Sequence, residues 1–204
     1  MPACFRHFLL DTRASAAEFA LILPLTMLFF FGIIDAGRYA YTFNQGEKAT
    51  QTGARWSVVT DPVTPGLASY SYVGKTVGGV TLTQGDRIPA SFLDPIICTT
   101  VSCTCTGQCP TSVAKAASPG PFEDLLARMQ DIMPEIEDDN LVVEYRGSGL
   151  GYAGDPNGMD VAPLVTVRLT GMTFSPVILF GGSIGLPDFS YTLTMEDGAG
   201  TGSN

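Results

Sequence analysis

RASAAEFALILPLTMLFFFGIIDAGRY, residues 13–39, decides which solvent each part of this chain meets. Between Glu18 and the pair Asp35 and Arg38 the run carries no charge. A bilayer core of about 30 Å asks for roughly 20 apolar residues in a helix. Residues 19–34 fall about a turn short of that length, and counting the small residues from Ala14 onward completes it with one carboxylate, Glu18, inside. The transmembrane span read this way covers about residues 19–37. A carboxylate at that depth is costly unless it is protonated, paired or close enough to the interface to reach water. Glu18 therefore either marks the membrane edge or has a partner.

The helix should outlast the bilayer. Tyr39, Phe43, Gly46, Ala49, Gly53 and Trp56 recur at spacings of three and four, which is one helical stripe. No proline interrupts the chain between Pro24 and Pro62, so a helix over residues 14–60 would extend roughly 70 Å at about 1.5 Å per residue. Pro24 has no amide hydrogen to give Ala20 and is expected to kink the helix within the bilayer. Gly46 and Gly53 on the stripe would let another surface approach closely, either the chain's own sheet or a neighbouring helix, and a stripe alone does not separate the two. Asp61-Pro62, with Pro65-Gly66 behind it, ends the helix.

A chain of 204 residues leaves room beyond such a helix for one domain with a real core, here residues 61–204. Arg6, Arg13 and Arg38 cancel Asp11, Glu18 and Asp35, so the whole net charge of −9 belongs to residues 40–204. An acidic surface without a Lys/Arg cluster repels nucleic acid, which sets nucleic-acid binding aside. Cys4 stands alone in the leader of residues 1–13, whereas Cys98, Cys103, Cys105 and Cys109 form an even group. Four thiolates could hold zinc, but Cys103 and Cys105 are too close for the paired spacings that structural zinc sites use. Two disulfides in an oxidising compartment are the better reading, in a loop over about residues 96–110, with three connectivities open.

The remaining elements give an α+β pattern. Short strand candidates lie at residues 69–73, 77–83 and 88–98, each broken by glycine or proline. Phe122, Leu125, Leu126, Met129, Ile132 and Met133 recur at helical spacing, predicting an amphipathic helix that ends near Met133, before Pro134. Residues 141–145, 164–170 and 189–195 carry the clearest strand signals, rich in Val, Thr and aromatics. A long N-terminal transmembrane helix followed by a small head of antiparallel strands with one amphipathic helix is the expected fold.

Particular residues then point to a family. A short polar leader, small residues, Glu18-Phe19 and an apolar helix with Pro24 inside resemble the class III signal of type IV pilins and pseudopilins. The text AAEFALILPL, followed by GIIDAGRYAY and GARWSVV, resembles the TadE-like pseudopilins of the tight-adherence (Flp type IVb pilus) secretion system over residues 12–60. The resemblance implies cleavage between Arg13 and Ala14 by a prepilin peptidase, with Arg13 in place of the usual glycine, and a retained Glu18 that neutralises a neighbour's new amino terminus. It implies a minor pseudopilin assisting assembly of a pilus for adhesion and biofilm formation. The implied partners are other pilin-like subunits, among them a TadF-like pseudopilin and the major pilin, and the membrane assembly platform. An uncut, membrane-anchored extracytoplasmic binding domain is the alternative.

Positive charge does not orient the span, because Arg6 and Arg13 before it balance Arg38 and Lys48 after it. The cysteine group and the resemblance give the orientation: bacterial inner membrane, single pass, N-terminus inside and head periplasmic. Chemistry has little material to work with. His7, in the leader, is the one histidine, so no Ser-His-Asp or Cys-His constellation exists in the head, and no enzyme is expected. The glycine string at residues 147–151 opens no helix that could cradle phosphate. Asp155, Asn157 and Asp160 lack the bidentate acid of an EF-hand, and a turn at Pro156-Asn157-Gly158 explains them better than calcium. No cofactor is implied.

Overall fold

A computed structural model describes residues 12–64, 66–110, 119–156, 158–179 and 181–195. Residues 1–11 of the leader, with Cys4 and His7, lie outside the described residues, as does Asn157. The chain forms two compact units, Met1–Thr42 with Thr173–Ile184, and Phe43–Met172 with Gly185–Asn204.

Helix α1 runs Thr12–Ser57, 46 residues without a break, and Pro24 lies inside it. The stop comes before Asp61-Pro62, where the backbone geometry preceding proline disfavours another helical residue.

The larger unit is built on a five-stranded antiparallel sheet, in the order β4-β3-β5-β6-β9. Its strands are β3 (Ile96–Cys98), β4 (Cys103–Cys105), β5 (Leu141–Arg146), β6 (Leu164–Leu169) and β9 (Phe189–Thr194). Period-two alternation shows directly in burial: Leu141, Val143 and Tyr145 of β5 are buried, as are Val165, Val167 and Leu169 of β6, and the two sets pair across the register. The opposite face is polar. There Glu144 takes Arg146 at 2.7 Å and Arg168 at 3.5 Å, and the hydroxyls of Thr166 and Thr192 meet at 2.8 Å.

Helix α2 (Pro119–Gln130) supplies Phe122, Leu125 and Met129 to the core. It stops three residues short of the expected end at Met133. The N–H of Met133 still reaches the carbonyl of Met129, but the chain there is in turns, and Gln130 donates its side chain to the carbonyl of Ile136 at 2.8 Å. Side-chain capping thus replaces the last helical turn.

Two of the early strand expectations need correction. Residues 69–73 form no strand, because the N–H of Tyr72 goes to the carboxylate of Asp160 at 2.7 Å and no partner strand is needed to satisfy it. Within residues 77–83 only a small hairpin forms, β1 (Thr76–Val77) against β2 (Val80–Thr81). Its two-residue turn, Gly78-Gly79, has φ of +57° and +81°, the left-handed pair that a tight hairpin requires. Of residues 88–98 only Ile96–Cys98, β3, is a strand, preceded by a 3₁₀ turn at Ala90–Phe92.

Disulfides join Cys98 to Cys103 and Cys105 to Cys109, one of the three connectivities that the sequence left open. Cys98 and Cys103 are direct cross-strand partners of the β3–β4 hairpin, so the bridge locks a register that three-residue strands alone would hold weakly. The last strands, β7 (Thr173–Phe174) and β8 (Ile184–Gly185), pair as a two-stranded ribbon.

Candidate membrane interface

The smaller unit carries the most unusual surface. From Phe19 to Ile34 the helix is apolar on every side and exposed on every side: Leu21 is 80% exposed, Leu25 70% and Phe29 66%. The best window of the helix has a mean hydropathy of 2.2 with only 6% of it buried, and it is long and apolar enough to cross a membrane. An all-round apolar helix must be covered, by protein core or by lipid. Among the described residues no protein core covers this one. The hydroxyl of Thr26 is satisfied by the carbonyl of Ile22, 3.0 Å away on the preceding turn, so it presents no free donor to an apolar surrounding.

The ends of this surface are marked by acids with different environments. Glu18 and Phe19, at its head, are both exposed, and Arg13 and Ala14 fall within the helical backbone one turn earlier. Asp35, at its other end, is 93% buried, a state carboxylates reach only when fully partnered. The backbone N–H of Val177 donates to one of its oxygens and that of Ile178 to the other, both at 2.9 Å. Arg38 adds a third bond at 3.1 Å from the next turn, and its guanidinium lies 5.3 Å from the centre of the Phe174 ring. Tyr39 meets the same ring edge-on at 5.6 Å. Asp35, Arg38 and Tyr39 thus hold residues 174–178 against α1.

Sequence reading used Asp35 only as the end of an apolar run. Its role as an acceptor depends on residues more than 140 positions away, and nothing local announces that. The one available signal was the absence of charge from Leu169 to Pro187, an apolar segment too irregular for a strand.

The remaining site residues lie in the larger unit. Gly46 faces the ring of Phe189, and Gly53 faces Met129 and Leu125, so in this structure both are filled by the chain's own side chains. The four head cysteines are paired as described above. Both carboxylate oxygens of Asp160 accept backbone N–H groups, from Tyr72 and from Asp155 at 3.1 Å, which accounts for that acid as a backbone tie. Among the described residues no cluster of three metal-ligating side chains occurs.

Residues 14–55 match the family model of TadE-like protein, about a fifth of the chain and the stretch that includes the whole exposed apolar run. No curated protein and no solved structure matches the chain.

Proposed function

We infer from the TadE-like segment at residues 14–55 that this chain is a minor pseudopilin of the tight-adherence (Flp) pilus system. In this reading α1 anchors it in the bacterial inner membrane with its N-terminus inside and residues 61–204 in the periplasm. It promotes assembly of a fibre used in adhesion and biofilm formation, and its role is structural, without a catalytic step. The single observation that carries the reading is the coincidence of the family match with a bare apolar helix headed by Glu18.

Lipid tails are as apolar as leucine, so apolar helices gain nothing in a bilayer by merely hiding from water. Association there rests on close packing and on polar pairs. Glu18 is the one charged group between Arg13 and Asp35. Cleavage between Arg13 and Ala14 by a prepilin peptidase creates an amine on each subunit, and that amine is the natural counter-charge for the Glu18 of a neighbour. Insertion scales put a carboxylate at the helix centre at about 2.5–3.5 kcal/mol, less toward the interface, and pairing recovers part of that cost while fixing the stagger between helices. Because Gly46 and Gly53 are occupied internally, the intersubunit seam falls on one side of the exposed stretch from Phe19 to Ile34, and lipid covers the rest. Other pilin-like subunits and the assembly platform are the partners.

Mass spectrometry of the mature N-terminus tests the processing step: a terminus at Ala14 supports it, and an intact leader supports an uncut anchored binding domain instead. Glu18→Ala should leave membrane insertion unchanged and abolish co-purification with pilin-like subunits. Undiminished assembly would remove Glu18 from the mechanism.

A further inference from the structure

Residues 173–184 return to α1 beside its apolar run, and their composition is unlike that of an ordinary exposed loop. No charge occurs anywhere from Leu169 to Pro187. Phe174 and Pro176 are buried, whereas Val177, Leu179 and Ile184 are 47%, 48% and 45% exposed. The loop is thus two-faced, with one set of side chains against the helix and an apolar set left open. Ile178 meets the helix at Gly32, within the otherwise exposed run from Phe19 to Ile34.

Its depth can be read off the helix. The side-chain tip of Ile178 lies 3.6 Å from where a Cβ on Gly32 would be, and Gly32 is three residues, about 4.5 Å of helix, inside Asp35. Loop and helix therefore share the same level at the end of the apolar run. A loop at that level must have its backbone polar groups satisfied within the protein, since hydrocarbon offers no partners. Asp35 does this for two consecutive N–H groups, Val177 and Ile178, at the tip. In water the same amides would need no such acceptor.

We propose that residues 173–184 are a second membrane contact, an apolar loop whose Val177, Leu179 and Ile184 side chains enter the interfacial layer of the bilayer beside α1. The occupant of this face is lipid, because Val177 and Ile178 meet the helix at Asp35 and Gly32, where its exposed apolar run ends. The loop broadens a single-helix anchor and limits rotation of α1 about its own axis. Asp35 is the positioning residue: it holds the tip at the depth of Gly32. This proposal rests on the reading of α1 as a membrane helix, and its test separates the two.

The unaltered full-length chain is reconstituted in phosphatidylcholine vesicles containing a phosphatidylcholine with a photoactivatable diazirine on its acyl chain. It is then irradiated, and lipid adducts are mapped by mass spectrometry. Adducts on both the 19–34 segment and the 173–184 segment are expected. Adducts on 19–34 with none on 173–184 would overturn the loop contact, whether water or another protein covers it, and leave the helix reading standing. An absence from both would overturn the membrane reading as well. Asp35→Ala should cause a several-fold loss of adducts on 173–184 with those on 19–34 unchanged, and undiminished loop labelling would overturn the positioning role.

Discussion

Gly46 stands so close to the ring of Phe189 that a Cβ on it would lie 2.6 Å from one ring carbon and 2.8 Å from two others. Phe189 is itself buried, and the ring of Phe43 meets it edge-on at 5.3 Å, so it has little room to yield. Gly46→Ala is therefore expected to destabilise by about 1–3 kcal/mol, the usual cost of overpacking, even though alanine is the better helix former by about 1 kcal/mol. Gly37, with nothing within 4 Å of the equivalent position, is the control with the opposite sign. Gly37→Ala should raise helix stability by up to about 1 kcal/mol. Denaturant melts of the two variants in detergent check both signs.

Tyr145 ties the segment that follows α1 to the sheet. Its hydroxyl accepts the N–H of Val63 at 2.9 Å, and the ring is fully buried on β5. Burial pushes its phenol well above the ordinary value near 10, against a smaller opposing pull from the Val63 bond. Tyr72 is raised in the same direction, first by burial and then by Tyr70 and Asp160 nearby. A raised acid keeps its proton in the fold after the unfolded chain has lost it. The stability both tyrosines contribute is thus complete below about pH 10 and lost as pH climbs toward their folded values, at about 1.4 kcal/mol per pH unit for each. Unfolding free energies at pH 8, 10 and 11 check the slope, and Tyr145→Phe should flatten it. That variant also leaves the Val63 N–H unpaired, which should cost about 1–3 kcal/mol at neutral pH.

The long helix was legible from its uncharged apolar run, and the amphipathic helix and the three six-residue strands because each buries one face at its own period, which is written locally. The strands expected at residues 69–73 and 77–83 failed for a different reason. At the first a side-chain acceptor, Asp160, supplies what a neighbouring strand would otherwise give, and at the second a pair of left-handed glycines folds the run back on itself as a hairpin. The stripe of Gly46 and Gly53 left open which surface would approach, because that depended on Phe189 and Met129, far along the chain. The Asp35 loop contact was the least legible feature of the site, since an acid that caps distant amides looks in sequence like an acid that ends a membrane span.

The two disulfides differ in access. Cys98 and Cys103 are buried, at 0% and 2% exposure, while Cys105 and Cys109 are half-buried. Under rising reductant, alkylation and peptide mass spectrometry should find Cys105 and Cys109 modified first. Closing a loop this short restricts the unfolded chain modestly, so replacing Cys98 and Cys103 together by alanine is expected to cost about 2 kcal/mol. The replacement should leave the β5–β6–β9 ladder intact, because its pairings do not involve those strands.

Asp35 offers two acceptor oxygens to two amides, and that arithmetic gives a graded experiment. Each oxygen serves one N–H, Oδ1 that of Val177 and Oδ2 that of Ile178. Asp35→Asn keeps one carbonyl oxygen and replaces the other with a donor, so it can satisfy one amide and must oppose the second. Asp35→Ala satisfies neither. Hydrogen exchange in detergent micelles should therefore find both amides slow in the unaltered chain, one slow in the asparagine variant and neither in the alanine variant. Leu141 to Leu169, paired strand to strand elsewhere, should exchange as before in all three. Equal loss at both amides in the asparagine variant would mean that charge, shared with Arg38, holds the loop more than hydrogen-bond count does.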